Sequence, residues 1–228
     1  MPEPITIVFA LYPNITQLDF TGPFEVLRRV PGARTVVASR EGGKLTADSG
    51  LVFDGLVRLE SIERCELICV VGGAGQAAAV LDDQYIAQVR RLGLQARYVT
   101  SVCTGSLVLA AAGLIEGKRA ACHWAWREML ADVGAIPDSR RVVRDGNVIT
   151  GGGVTAGIDF ALAVAAELAG IEVAQGIQLG IEYEPAPPFD CGRPENAPAS
   201  VLKTVRERIA GMYPERKAAM ERALARGH

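Results

Sequence analysis

The chain has 228 residues, with 24 lysines and arginines against 26 aspartates and glutamates, five cysteines and two histidines. A hydrophobic share of 49% with 22% charged residues excludes a disordered chain, and the length suits one domain or two small ones. A formal charge of -2 supplies no basic field for phosphate backbones, so nucleic acid is not an expected partner. Two histidines and a single close cysteine pair, Cys65 and Cys69, make a poor ligand set, and no metal is expected.

The opening segment MPEPITIVFALYPN carries no Lys or Arg, and its apolar run from Ile5 to Leu11 is too short for a signal peptide or a membrane span. With five sparse cysteines, mostly inside apolar runs, this points to a reducing, cytoplasmic setting. In chain order, Ile5 to Ala10, Arg34 to Ala38, Leu67 to Val71 and Arg97 to Val102 read as strands, being brief and continuously apolar. Continuous apolarity implies burial on both faces, the property of a parallel sheet between helical layers. Helices are expected over Gly22 to Val30, Asp82 to Gln95, Thr104 to Leu114, Trp124 to Val133 and Thr155 to Ala169, with Pro23 in a first turn. Asp145-Gly146 predicts a hairpin over Arg141 to Thr150, and a second short pair is expected within Lys44 to Phe53. Residues 184 to 198 form a Pro-rich loop, followed over 200 to 226 by a charged helix or helix pair. Its narrow apolar stripe (Val201, Val205, Ile209, Met212) is expected to pack on the body or a partner. Its arginines, Arg216 among them, interleave with glutamates and read as a solvated face. No linker or internal repeat divides the chain.

Three segments carry chemistry. The buried strand ending at Val102 runs without spare loop residues into Cys103 and a helix. This turn presents a side chain at the C-terminal sheet edge, where open α/β folds bind ligands. A helix N-terminus lowers a thiol pKa, so thiolate is the expected main species, although an arbitrary cysteine is more often a small buried hydrophobe. Thr104 adds a hydroxyl and an N–H, and Gly105 leaves room for a ligand. The glycines of Val70-Val-Gly-Gly-Ala-Gly75 end another strand, where Gly72 and Gly73 could turn backbone N–H groups toward an anion or simply make a tight turn. Asp19, in QLDFTGPFEVL, is either a helix cap or a carboxyl beside Cys103 with a raised pKa that can exchange a proton. His123 is either the base of a Cys/His dyad or a structural histidine.

Asp19 in QLDFTGPFEVL, the glycines of VVGGAG, Cys103 in TSVCTGSLVLAAAGL and His123 in ACHWAWREML together resemble the ThiJ/PfpI superfamily. GGGVTAGIDFALAVAAEL and YEPAPPFDCGRPENAPASV extend the likeness over nearly the whole chain. Within the superfamily the sequence is most similar to the bacterial isocyanide hydratases, through the Asp of the first loop, Cys-Thr-Gly and the Pro-rich segment. The resemblance implies an α/β flavodoxin-like sandwich with a mostly parallel sheet, one domain spanning 1 to 228, a homodimer and a cofactor-free lyase. It further implies that Cys103 adds to the isocyanide carbon, Asp19 moves the protons, and a thioimidate is hydrolysed to an N-substituted formamide. Thr104 would fix the water or the carboxyl, and Gly72 and Gly73 would offer backbone N–H groups. Phe24, Trp124 and Val154 are candidate pocket residues. Thr104 stands where PfpI-like proteases carry His, which argues against peptidase activity. Other readings are a glyoxalase- or deglycase-like enzyme for reactive aldehydes, a cysteine oxidation sensor, and a ligand-binding regulator. AraC-type regulators share the first domain but continue into helix-turn-helix motifs, for which no room is expected before His228.

Overall fold

The computed structural model describes residues 5–226. Strand β1 (Ile5–Leu11) leads into helix α1 (Gln17–Leu27), strand β2 (Ala33–Ser39) and the hairpin β3 (Gly43–Thr46) and β4 (Val52–Arg58). Next come β5 (Leu67–Val70), α2 (Gln76–Ala79), α3 (Asp83–Gln95), β6 (Tyr98–Val102) and α4 (Gly105–Ala111). A small irregular region holds β7 (Arg119–Ala120), α5 (Met129–Asp132) and β8 (Ile136–Pro137) before the hairpin β9 (Val142–Asp145) and β10 (Val148–Gly151). Helices α6 (Ala156–Ala169), α7 (Ile171–Gly180), α8 (Ala199–Ala210) and α9 (Tyr213–Ala225) follow.

Eight strands make the main sheet in the order β3-β4-β2-β1-β5-β6-β10-β9, with β1 paired in parallel to both β2 and β5. Only the hairpin partners β3 and β9 run antiparallel to their neighbours, so the sheet is mostly parallel, as expected. Both faces are covered. Phe9 of β1 meets Phe20 and Phe24 of α1 at 5.5 and 5.7 Å between ring centroids. On the opposite side, the Tyr85 hydroxyl of α3 donates to the Ala10 carbonyl at 3.0 Å. Every residue of β5 and β6 is buried, which is why those strands lack alternation. This is the flavodoxin-like sandwich, and it brings the C-terminal ends of β1, β5 and β6 to one edge. Among the described residues no helix is long and apolar enough to cross a membrane.

Several boundaries differ from the sequence reading. Helix α1 starts at Gln17, so Pro23 lies in its interior rather than its first turn, and Asp19 is inside the helix instead of preceding it. Trp124 to Val133 is mostly turns, and only Met129–Asp132 is helical. Helix α7 was not expected; it begins directly at Gly170, whose φ of 93° breaks the chain direction after α6. The C-terminal segment is a helix pair. Its anchoring differs from expectation, because α8 buries no residue whereas α9 buries Arg216, Ala219, Met220 and Ala223. Val201 and Met212, at 45% and 44% exposure, do not hold the segment to the body.

Candidate active site

The turn after β6 is sharp. Cys103 has φ 58°, a left-handed conformation uncommon for a residue with a Cβ, and α4 begins two residues later. Hydrogen bonds fix the turn on both sides: the Cys103 N–H donates to the Gly151 carbonyl at 3.1 Å, and the Ser106 hydroxyl donates to the Cys103 carbonyl at 3.1 Å. Gly105 is required by packing rather than by a ligand, since a Cβ there would lie 2.1 Å from the Val70 carbonyl oxygen of β5.

Asp19 does not cap α1. Its side chain is fully buried, and neither carboxyl oxygen has a well-formed hydrogen bond among the described residues. Burial pushes its pKa up to about 7, opposed weakly by the facing Cys103 thiol and the Gly72 N–H. The Cys103 thiol is likewise pushed well up, first by burial and then by the Asp19 carboxylate, with only a small opposing effect from the Thr104 N–H. The expected thiolate resting state is therefore corrected: desolvation and a neighbouring negative charge outweigh a seven-residue helix. At rest the proton sits on sulfur, beside a carboxyl group poised to take it.

Gly72 defines the floor of the site. A Cβ on it would fall 2.6 Å from the Thr104 nitrogen, 2.7 Å from Asp19 Oδ2 and 2.8 Å from Thr104 Oγ1, so these three polar atoms converge above its bare Cα. The Gly73 N–H donates to Thr104 Oγ1 at 3.1 Å, which engages that amide and leaves the Thr104 hydroxyl proton free to be donated elsewhere. Gly73 thus serves to orient Thr104 rather than to present an N–H to an anion.

His123 makes a local hydrogen bond, its Nδ1 accepting from the Ala125 N–H at 3.3 Å, and burial pulls its pKa down. Of the other candidate pocket residues, Phe24 belongs to the aromatic cluster with Phe9 and Phe20, and Trp124 lines a surface groove with Arg206 and Ile209 of α8. Val154 is half-buried after β10. Among the described residues no cluster of three His, Cys, Asp or Glu side chains could hold a metal ion.

Two residues near the pair escaped sequence reasoning. Tyr12, just past β1, is buried with an unpartnered hydroxyl and lies within electrostatic reach of Asp19 and Cys103. Arg216 of α9, expected to be solvated, is 5% exposed and reaches the same interior. An arginine between glutamates carries no sign of burial; only the docking of α9 onto Trp126 reveals it.

A buried cysteine on a strand-to-helix elbow, paired with a carboxyl from the helix after β1, defines a class. The chain matches the DJ-1/PfpI family over residues 5–167 and belongs to it. It is 48% identical over 222 residues to the isonitrile hydratase of Pseudomonas putida, covering 97% of each chain. The crystal structure of a ThiJ/PfpI family protein from Pseudomonas syringae superposes with a TM-score of 0.92 at 38% identity, covering 95% of this chain and 90% of that one. The HTH-type transcriptional regulator CdhR of Pseudomonas aeruginosa is 30% identical over 175 residues, 73% of this chain but 51% of the regulator.

Proposed function

We propose that this protein is a cysteine-dependent hydro-lyase that adds water to organic isocyanides, giving N-substituted formamides. The observation that carries the reading is the Cys103 thiol facing a buried Asp19 carboxyl whose pKa is about 7, in a protein 48% identical to an isonitrile hydratase.

The isocyanide carbon is a soft, weakly polar electrophile, suited to a sulfur nucleophile in a dry site. The Asp19 carboxylate takes the thiol proton, and the thiolate adds to the terminal carbon. Asp19 then delivers that proton to the same carbon, leaving a neutral thioimidate, R–N=CH–S–Cys103. A water held by the Thr104 hydroxyl adds to this carbon, with Asp19 as its base and the nitrogen gaining a proton. Collapse of the adduct expels the sulfur, which recovers its proton, and releases R–NH–CHO. Gly72 keeps the space above its Cα clear for the reacting atoms, and the Thr104 N–H supports negative charge there. The same reading takes the full chain as one functional domain working as a cytoplasmic homodimer, with no cofactor.

Electrospray mass analysis during turnover with an alkyl isocyanide tests it. The expected result is an adduct on Cys103 equal to the substrate mass, with no formamide produced by Cys103→Ala. Full turnover by Cys103→Ala or Asp19→Asn would overturn the mechanism. Lactate from methylglyoxal without formamide from any isocyanide would replace it with aldehyde chemistry.

A further inference from the structure

Arg216 is a cation with no counter-ion. It is 5% exposed, and among the described residues no carboxylate lies within ion-pair distance of its guanidinium. The group lies 4.3 Å over the Trp126 ring, Nη2 makes a long 3.5 Å contact to the Gly73 carbonyl, and buried Nη1 has no partner. Burying an unpaired charge is costly, so a compensating interaction is required. The interior supplies no permanent anion. It supplies groups that become anionic.

We propose that Arg216 is the internal counter-charge to the Cys103 thiolate, a positioning residue brought into the site by the C-terminal helix α9. The groups facing it are Tyr12 from the end of β1, Cys103 from the elbow, Cys122 and His123 from the turn after β7, and Glu215 on its own helix. The Asp19 carboxyl answers instead to Cys103, Gly72 and Asp48. A cation whose field falls on the sulfur favours thiolate with carboxyl over thiol with carboxylate, the form in which addition begins. A guanidinium suits the task because it stays protonated even where burial pulls its pKa down, as here. Trp126, stacked on Tyr213 at 6.1 Å, and Met220, which accepts from Gln76 Nε2 at 3.3 Å, hold α9 so that the charge is fixed in place.

The inference rests on Cys103 being the reactive thiol and not on the substrate, so alkylation tests it apart from turnover. Cys103 modification by iodoacetamide is followed against pH in wild type, Arg216→Met and Arg216→Lys by peptide mass mapping. Arg216→Met is expected to raise the apparent pKa of Cys103 alkylation by about one pH unit, slowing it about tenfold at pH 7, with Arg216→Lys recovering most of the rate. An unchanged pH profile in a folded Arg216→Met protein, with both variants merely less heat-stable, would make Arg216 only an anchor and overturn the proposal. Wild type alone provides a second arm should the variants not fold. The ratio of iodoacetate to iodoacetamide rates should be higher at Cys103 than at partly exposed Cys191, because a nearby cation attracts the charged reagent; equal ratios would overturn the proposal. Failure of either reagent to modify Cys103 would overturn both this inference and the nucleophile assignment. Normal isocyanide turnover with an unchanged profile would overturn this inference alone.

Discussion

Gly72 and Asp19 share one small volume: a methyl group on the Gly72 Cα would lie 2.7 Å from Asp19 Oδ2. The neighbouring Thr104 nitrogen, 2.6 Å from the same point, is backbone and cannot swing away as a flexible side chain could. Gly72→Ala must therefore displace the carboxyl or open the elbow. Overpacking of this kind costs about 1 to 3 kcal/mol of stability, measurable by urea unfolding. Formamide production should fall far more, at least about a hundredfold in kcat/KM, because small misplacements of catalytic groups have effects of that order. A folded Gly72→Ala enzyme with near wild-type turnover would show that the reacting atoms lie elsewhere.

The buried Asp19 carboxyl ties stability to pH. Its pKa rises from 3.8 to about 7 on folding, so between those values the folded chain binds more protons than the unfolded one. Stability should fall as pH rises through that window; the penalty is absent below it and complete above it. At about 1.4 kcal/mol per pH unit, the window caps the penalty at roughly 4 kcal/mol. Asp19→Asn has no charge to bury, so its stability relative to wild type should improve from pH 4 to pH 8 by up to that amount in paired denaturant titrations. A constant difference would contradict the buried-carboxyl account.

The same group sets a kinetic limb. The first proton transfer needs Asp19 as carboxylate and Cys103 as thiol, so kcat/KM should rise as pH increases through about 7. The burial that pushes the thiol well up places any falling limb at higher pH. Initial-rate profiles with a non-ionising isocyanide check this, and an activity that declines steadily from pH 5 to pH 8 would be incompatible with it.

Much of the site was legible because it sits where local rules are strong. A buried strand entering Cys-Thr-Gly without loop residues signals an elbow, and the sheet order then brings β1, β5 and β6 to one edge, as the sequence implied. What was not legible depended on long-range packing. Pro23 looked like a helix start, yet α1 accommodates it inside and so carries Asp19 into the interior. Arg216 looked solvated because its sequence neighbours are charged, and its burial follows from contacts with Trp126, 90 residues earlier. The direction of the Cys103 pKa was misjudged for a related reason: the helix terminus is visible locally, whereas the burial and the carboxylate are not.

The five cysteines should separate by reactivity. Cys65 and Cys69 are pushed up to about 12 and Cys122 to about 11, each mainly by burial, so none has appreciable thiolate at neutral pH. Brief treatment with a maleimide at pH 7.5, mapped by mass spectrometry, should modify partly exposed Cys191 and the elbow Cys103 and leave those three intact. Prior incubation with an isocyanide should protect Cys103 and leave Cys191 unaffected. Equal protection of both would indicate a change in the whole fold instead of occupancy of one site.

The elbow itself should carry a measurable strain. A residue with a Cβ at φ 58° costs about 1 to 2 kcal/mol relative to glycine, which adopts that conformation freely. Alanine retains the cost and glycine removes it, and neither retains the sulfur. Cys103→Gly is therefore expected to be more stable than Cys103→Ala by about 1 kcal/mol, with part of the gain offset by glycine's greater freedom in the unfolded chain. Both should be inactive. Thermal unfolding of the two variants side by side tests this, since removal of the thiol is common to them. Should Cys103→Ala prove the more stable, the hydrogen bonds from the Cys103 N–H to Gly151 and from Ser106 to the Cys103 carbonyl must already relieve the turn, and the elbow would hold its nucleophile without strain.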